Sequence, residues 1–336
     1  MVKENEMKTS NRETYLGDVL TTDGKITANI QSRCDRGQGI INQSISMLQE
    51  ISFGYFYFEI AMMFRNSMLL DGILCSSELL YGITNEHIEM LEKCDRTYMR
   101  RVFDCPISTP IESYYLETST LSIRFILIGR RLMYLWTILQ KSDKELARQV
   151  YKSQKLFPVK NDWFLQVKDD LKKCNIDFSD EEISKMKKEK FKSIVMKSLR
   201  QLSEEYLSKQ MEKHSKSENL CISDSMQNYL VNLNTTVREK KLLFLLRSRM
   251  YPVKMNFQQM YSDLQCSLCS SLEKESQEHL WVCEEVAKDD DLKKCLVNKK
   301  ISYSDIYGPP SKQTEAIKIW SAIDKIWERK LKEKDK

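Results

Sequence analysis

Only nine glycines and six prolines punctuate the 336 residues of this chain. Strand-rich folds turn every few residues and draw on these two residue types to do it, so a chain this poor in them is predicted to fold mainly as α-helix. Long stretches in which apolar residues recur at three- and four-residue spacing agree with that reading. Apolar residues make up 41% of the chain and charged residues 30%, enough to bury a core beneath a heavily charged surface. At this length, two or three modest cores are expected.

The one clear extended segment is YLGDVLTTDG, residues 15–24, read as a short strand and turn. From Ile26 helical spacing sets in (Ile30, Cys34, then Ile41, Ile45, Leu48), and Gly37 and Gly39 predict a break between two helices. Residues 55–80 are almost continuously apolar and predict a helix buried on most faces. Thr84 followed by Glu86 and Glu89 reads as a helix start, with Pro106 and Pro110 ending that helix. A third buried helix is expected from about Leu121 to Leu139. The chain then turns polar and lysine-rich. Ser179, Asp180, Glu181 and Glu182 open a basic amphipathic stretch over 180–217. A further helix runs from Arg238 to Met250, and a terminal one carries Ile317, Trp320, Ile323, Ile326 and Trp327 on one stripe. The predicted division is 1–145, a helical bundle; 146–235, a basic helical linker; and 236–336, a basic helix, a small cysteine–histidine module and a C-terminal helix.

The opening MVKENEMKTSNRE is polar, without the apolar run of a secretory signal. The longest apolar stretch, Ile123 to Leu139, is broken by Arg130 and Arg131 short of the roughly 20 apolar residues a bilayer span requires. No membrane partner is expected. Six of the ten cysteines, at 34, 75, 94, 105, 174 and 221, are scattered singly through amphipathic sequence. Reduced thiols and an intracellular location, nuclear or cytoplasmic, follow.

The other cysteines are not scattered. CSLCSSLEKESQEHLWVC places Cys266, Cys269, His279 and Cys283 within eighteen positions. Two cysteines separated by two residues can clamp an ion from a tight turn, and His279 and Cys283, four apart, can close a tetrahedron from one helical turn. Three sulfurs and one imidazole favour Zn²⁺ over hard cations. With all four positions filled by protein the zinc is expected to be structural, one ion per chain. Cys295 is a possible fifth ligand in an alternative register.

Adjacent aspartates, the raw material of two-metal nucleotidyl transfer, occur at Asp169–Asp170 and Asp289–Asp291, but neither run has a strand–turn–strand setting, and both read as solvated faces. No phosphate-cradling glycine loop, GxSxG elbow or HExxH is present. His87 and His214 read as surface residues. The net charge of +5 becomes informative through its placement. Lys185, Lys187, Lys188, Lys190, Lys192, Lys197 and Arg200 form one basic stretch, open to phosphate binding or to a merely solvated helix face. Arg238, Lys240, Lys241, Arg247, Arg249 and Lys254 form a second around the apolar LLFLL, with Phe244, Tyr251 and Phe257 expected to offer stacking surfaces.

Read in order, YLGDVLTTDGKITANIQSRCDRGQGIINQ, SELLYGITNEHIEMLEKCDRTYMRRVF, TPIESYYLETSTLSIRFILIGRRLMYL, LLFLLRSRM and CSLCSSLEKESQEHLWVC resemble the C-terminal part of non-LTR retrotransposon reverse transcriptases, from thumb to zinc knuckle. The resemblance covers about residues 12–285. It implies a thumb-like bundle in which Arg124, Arg130 and Arg131 touch a template–primer duplex, with salt bridging inside the bundle as the alternative. It also implies a knuckle and preceding basic helix that hold retroelement RNA or target DNA. In that family the catalytic aspartates precede the YLG segment, and here fourteen residues precede Tyr15, so a non-catalytic nucleic-acid-binding fragment is expected. Two other readings stay open: a helical protein-interaction scaffold with a structural zinc, and one piece of a complete RNA-directed DNA polymerase.

Overall fold

A computed structural model describes residues 11–15, 18–51, 56–232, 234–269, 271–289, 292 and 301–334. The protein is mainly helical, as expected from its turn poverty. It divides into two compact units: Met1–Met47, Met62–Tyr98 and Leu121–Tyr206 form the first, and Leu48–Ala61, Met99–Thr120 and Leu207–Lys336 the second. These differ from a sequential division at 145 and 235. The segments 48–61 and 99–120 carry aromatic residues that pack on a helix far along the chain.

The first unit opens with a two-stranded antiparallel hairpin, β1 (Arg12–Tyr15) and β2 (Asp18–Thr21), in the register Arg12↔Thr21 and Tyr15↔Asp18. Helix α1 (Thr27–Glu50) then runs unbroken through Gly37 and Gly39, where a break was expected. Close packing gives the reason at Gly37, since a Cβ there would stand 2.8 Å from Cγ2 of Ile73. The helix tolerates a glycine costing about 1 kcal/mol relative to alanine because the residue admits a neighbour. The continuously apolar stretch forms α2 (Tyr57–Phe64), a π-helical segment (Arg65–Leu70) and α3 (Asp71–Ile73). Thr84 caps α4 (Asn85–Phe103), its hydroxyl accepting from the His87 N–H while its own N–H donates to His87 Nδ1. That assigns His87 a capping role.

After α5 (Ile111–Thr118), the core of the first unit gathers around α6 (Ile123–Leu139), α7 (Leu146–Leu156), α8 (Trp163–Lys173), α9 (Asp180–Lys185) and α10 (Lys188–Met211). Leu132, Leu135, Val167, Ile183, Phe191, Val195 and Leu199 form its fully packed centre. The Ser179 start signal is a complete capping box with Glu182. One expected solvated pair is not solvated: Asp170 is fully buried, holding Arg131 through two hydrogen bonds of 2.6 and 3.2 Å. Asp169 does face solvent, against Lys173. A second buried pair, Arg65–Asp95, is bidentate at 2.7 and 2.6 Å.

In the second unit, α11 (Asn228–Val231) precedes α12 (Val237–Arg247), which is capped by a Thr236–Glu239 box. Phe244 of α12 meets Phe103 at a ring distance of 4.1 Å and Tyr114 at 5.7 Å, and Phe58 joins through Phe103. Two short helices, α13 (Gln277–Val282) and α14 (Glu284–Ala287), and the long α15 (Pro310–Lys334) complete the unit. The predicted stripe of α15 is buried, with Trp320 against Tyr251 and Trp281. Among the described residues no helix is long and apolar enough to cross a membrane.

Removing one partner of a fully buried ion pair strands the other charge, which costs about 3–5 kcal/mol, whereas replacing both by apolar residues is close to neutral. Asp170→Ala is therefore expected to lower the denaturant midpoint of the first unit sharply, and the double variant Arg131→Met, Asp170→Leu to restore most of it. Urea titrations followed by circular dichroism check both.

Candidate metal centre and basic surfaces

The metal-ligand motif folds as a short hairpin followed by two helical turns. Backbone pairing of Cys266 N–H with the Glu273 carbonyl (2.9 Å) and of Glu275 N–H with the Leu264 carbonyl (2.8 Å) closes the hairpin whose turn carries Cys266 and Cys269. Buried Glu275 holds the turn in place, its carboxylate accepting from the N–H groups of Lys254 and Ser267. Ser276 caps α13 by accepting from the His279 N–H, which places the imidazole in the first turn. Cys283 is not on the same helical turn as His279, contrary to expectation. It has non-helical backbone between α13 and α14, and that bend brings its sulfur back to the cluster.

The four ligand atoms lie within 4.8 Å of one another, with Cys269 Sγ 3.3 Å from His279 Nε2. A tetrahedral zinc with Zn–S bonds of about 2.3 Å needs ligand separations of about 3.8 Å, so the cluster can close on an ion by small side-chain adjustments. Donor chemistry fits as well: soft sulfur and imidazole, with three of the four residues buried. His279 Nδ1 lies 2.6 Å from the Glu273 carboxylate, which fixes the ring so that Nε2 faces the sulfurs. Burial works against protonation of that ring, but Glu273 and the neighbouring thiols outweigh it and raise its pKa. Hydrogen bonding to Cys266, helped by the Val286 and Glu285 N–H groups, lowers the Cys283 thiol to about 7, while Cys266 is pushed up to about 12. A cation gathered by these sulfurs takes the place of the thiol protons. Glu273 is not marked out by ligand spacing; its position in the return strand, facing the histidine, emerges only after the hairpin closes. Cys295 and Asp290–Asp291 lie outside the described residues.

The arginines and lysines expected to contact phosphate are placed very differently. Arg131, Lys240 and Arg247 are buried, at 3%, 1% and 3% exposure, and a surface phosphate role for them is corrected. Arg247 holds Glu117 at 2.9 Å and the Ile306 carbonyl at 2.7 Å, and burial pushes the Lys240 pKa down. The sequence contains the reason: at about 100° per residue, five consecutive apolar residues in LLFLL cover most of the circumference of α12 and leave the side of Arg238, Lys241 and Leu245 partly accessible. The others are partly accessible but engaged. Arg124 is bidentate to Glu92 at 3.0 and 2.9 Å, and Arg130 meets Asp71 and the Leu74 carbonyl. Arg238 meets Asp324, Arg249 meets Glu278, Lys241 lies over the Tyr57 ring, and Lys254 meets the Gln265 carbonyl. Phe244 and Tyr251, expected to stack on bases, are buried, and Phe257 packs under Lys216. His214, read as a surface residue, is exposed, with Nδ1 2.6 Å from buried Glu112.

The stretch from Lys185 to Arg200 is the contrast. Its seven basic side chains are exposed, and among the described residues none forms an ion pair. No protein-family model, curated protein or solved structure matches the chain; fold and site define a mainly helical protein with a Cys3His cluster able to hold a metal ion.

Glu273→Gln keeps the ligands but weakens the hold on the ring, and is expected to lower metal affinity about 10- to 100-fold. Competition with a chromogenic chelator measures it. Cys269→Ala is expected to abolish stoichiometric metal and to disturb Trp281 and Trp320 in near-ultraviolet circular dichroism, with the far-ultraviolet signal of the first unit's helices retained.

Proposed function

We propose that this chain is a non-catalytic nucleic-acid-binding protein, related to the C-terminal part of non-LTR retrotransposon reverse transcriptases, whose metal is a structural zinc. The observation that carries the binding role is the basic stretch at the start of α10. Seven cations stand against a single acid, Glu189, between Lys185 and Arg200, and all seven face solvent. On a helical projection Lys190, Lys197 and Arg200 fall within about 80° of one another, opposite the buried Phe191, Val195 and Leu199. Such a row, unclaimed by carboxylates, is free to neutralise phosphates. The preference falls here and not on the expected helix before the knuckle, because α12 and its flanks bury Lys240 and Arg247 and engage their other cations with carboxylates, a ring or a carbonyl.

A non-catalytic reading is supported by Asp169–Asp170, in which one carboxylate is locked to Arg131 and cannot serve a two-metal centre. A structural zinc is supported by the closed donor set. The family relationship rests on the ordered resemblance of the five segments.

The test is a salt titration of affinity for duplex DNA and structured RNA. Each lost phosphate contact reduces the slope of log K against log salt by about 0.9 on duplex DNA. The variant Lys190→Gln, Lys197→Gln, Arg200→Gln is expected to lower the slope by roughly two to three units, similarly for unrelated sequences. Arg249→Gln should leave the slope unchanged. An unaltered slope in the triple variant, or no binding by the wild-type chain, overturns the assignment.

A further inference from the structure

Two surfaces of this chain leave large apolar side chains in water, and they carry opposite charge. The first is the outer side of α7 and the turn that follows it. Leu146 and Val150 are exposed one turn apart, on a different side of the helix from buried Tyr151, and Leu156, Phe157 and Val159 extend the surface with exposures of 72%, 75% and 67%. Between Leu146 and Lys160 the chain contains Arg148, Lys152, Lys155 and Lys160 and no acid. Arg148 and Lys152 pair with Asp143, and Lys155 with Asp180, which leaves the four cations in excess of the two acids.

The second surface is the knuckle. Leu272, 82% exposed, stands three residues beyond Cys269, and Val282 immediately precedes Cys283. Both therefore sit on short segments that the ligand cluster ties together. Met260 and Tyr261, also exposed, lie just ahead of the hairpin. From Lys254 to Asp289 there are seven acids and three lysines. Asp263, Glu273 and Glu284, each within two residues of one of these hydrophobes, are exposed. Three thiolates around a divalent ion add a further negative charge.

Clusters of exposed large hydrophobes rimmed by charge mark sites of protein association. We propose that the occupant of each surface is a second copy of this chain: the acidic knuckle of one molecule docks on the basic α7 surface of the next. Charge complementarity selects this pairing, because knuckle on knuckle would oppose acids, and α7 on α7 would oppose lysines. One such contact leaves the pair of molecules with one free surface of each kind, so assembly proceeds to closed rings, a two-membered ring included, or to open chains.

Sedimentation of the zinc-loaded full chain, treated with nuclease so that nucleic acid cannot bridge copies, tests the pairing. Species heavier than the monomer should grow with concentration and recede, without vanishing, as salt rises. Phe157→Asp and Leu272→Lys should each weaken self-association at least tenfold. An equimolar mixture of the two should form a dimer that grows no further, since it combines one intact knuckle with one intact α7 surface. Leu156→Asp and Val282→Lys provide a second pair if circular dichroism shows that either first variant misfolds. A monomeric wild-type chain, a single variant that associates like wild type, or a mixture that stays monomeric overturns the proposal.

Discussion

A guanidinium placed in a protein core must be matched by a carboxylate and by carbonyl oxygens, because an unpaired buried charge costs several kcal/mol. Much of this structure follows from meeting that requirement repeatedly. Arg65 with Asp95 and Arg131 with Asp170 lie inside the first unit, and Arg247 with Glu117 inside the second. Each pair joins segments distant in sequence: 30, 39 and 130 residues apart. Such pairs contribute little net stability compared with apolar residues of the same shape, but they penalise any arrangement that separates the partners. They also decide which cations remain for other purposes, so a phosphate-binding surface can form only where bases have no acid beside them.

The knuckle obeys a different constraint. A module of about thirty residues has little apolar interior of its own, and four residues able to gather one ion are the means by which such a module can be held together. Its surroundings are nevertheless not independent of it. Gln277 donates to the Leu246 carbonyl, Arg249 to Glu278, and Trp281 lies against Trp320 of α15. These contacts tie the cluster to the end of α12 and to α15 within the second unit. The acidic character of the module is consistent with a stapling role, and distinguishes it from the basic stretch at the start of α10.

Helix content, the capping box at Ser179 and the ligand set are legible because each is a local pattern: a spacing, a hydroxyl three residues from a carboxylate, a CxxC with a histidine at fitting distance. The apolar stripe of α15 is legible for the same reason. Gly37 misleads because a glycine inside a helix signals either a break or a close neighbour, and only the position of Ile73 distinguishes them. Asp170 misleads because its neighbours Asp169, Lys172 and Lys173 are those of a solvated face, while its partner Arg131 lies 39 residues away.

The sequence by itself determined that the chain is mainly helical, where several of its longer helices begin, and which four residues can gather a metal, since those outcomes depend on contacts within a few turns of chain. Tertiary structure alone decided the fate of the charges. A basic residue in an amphipathic pattern reads the same whether it faces water or a buried acid, and the difference lies in long-range pairing that local spacing does not encode. That pairing draws Arg131 and Arg247 inside and leaves Lys190, Lys197 and Arg200 in solvent.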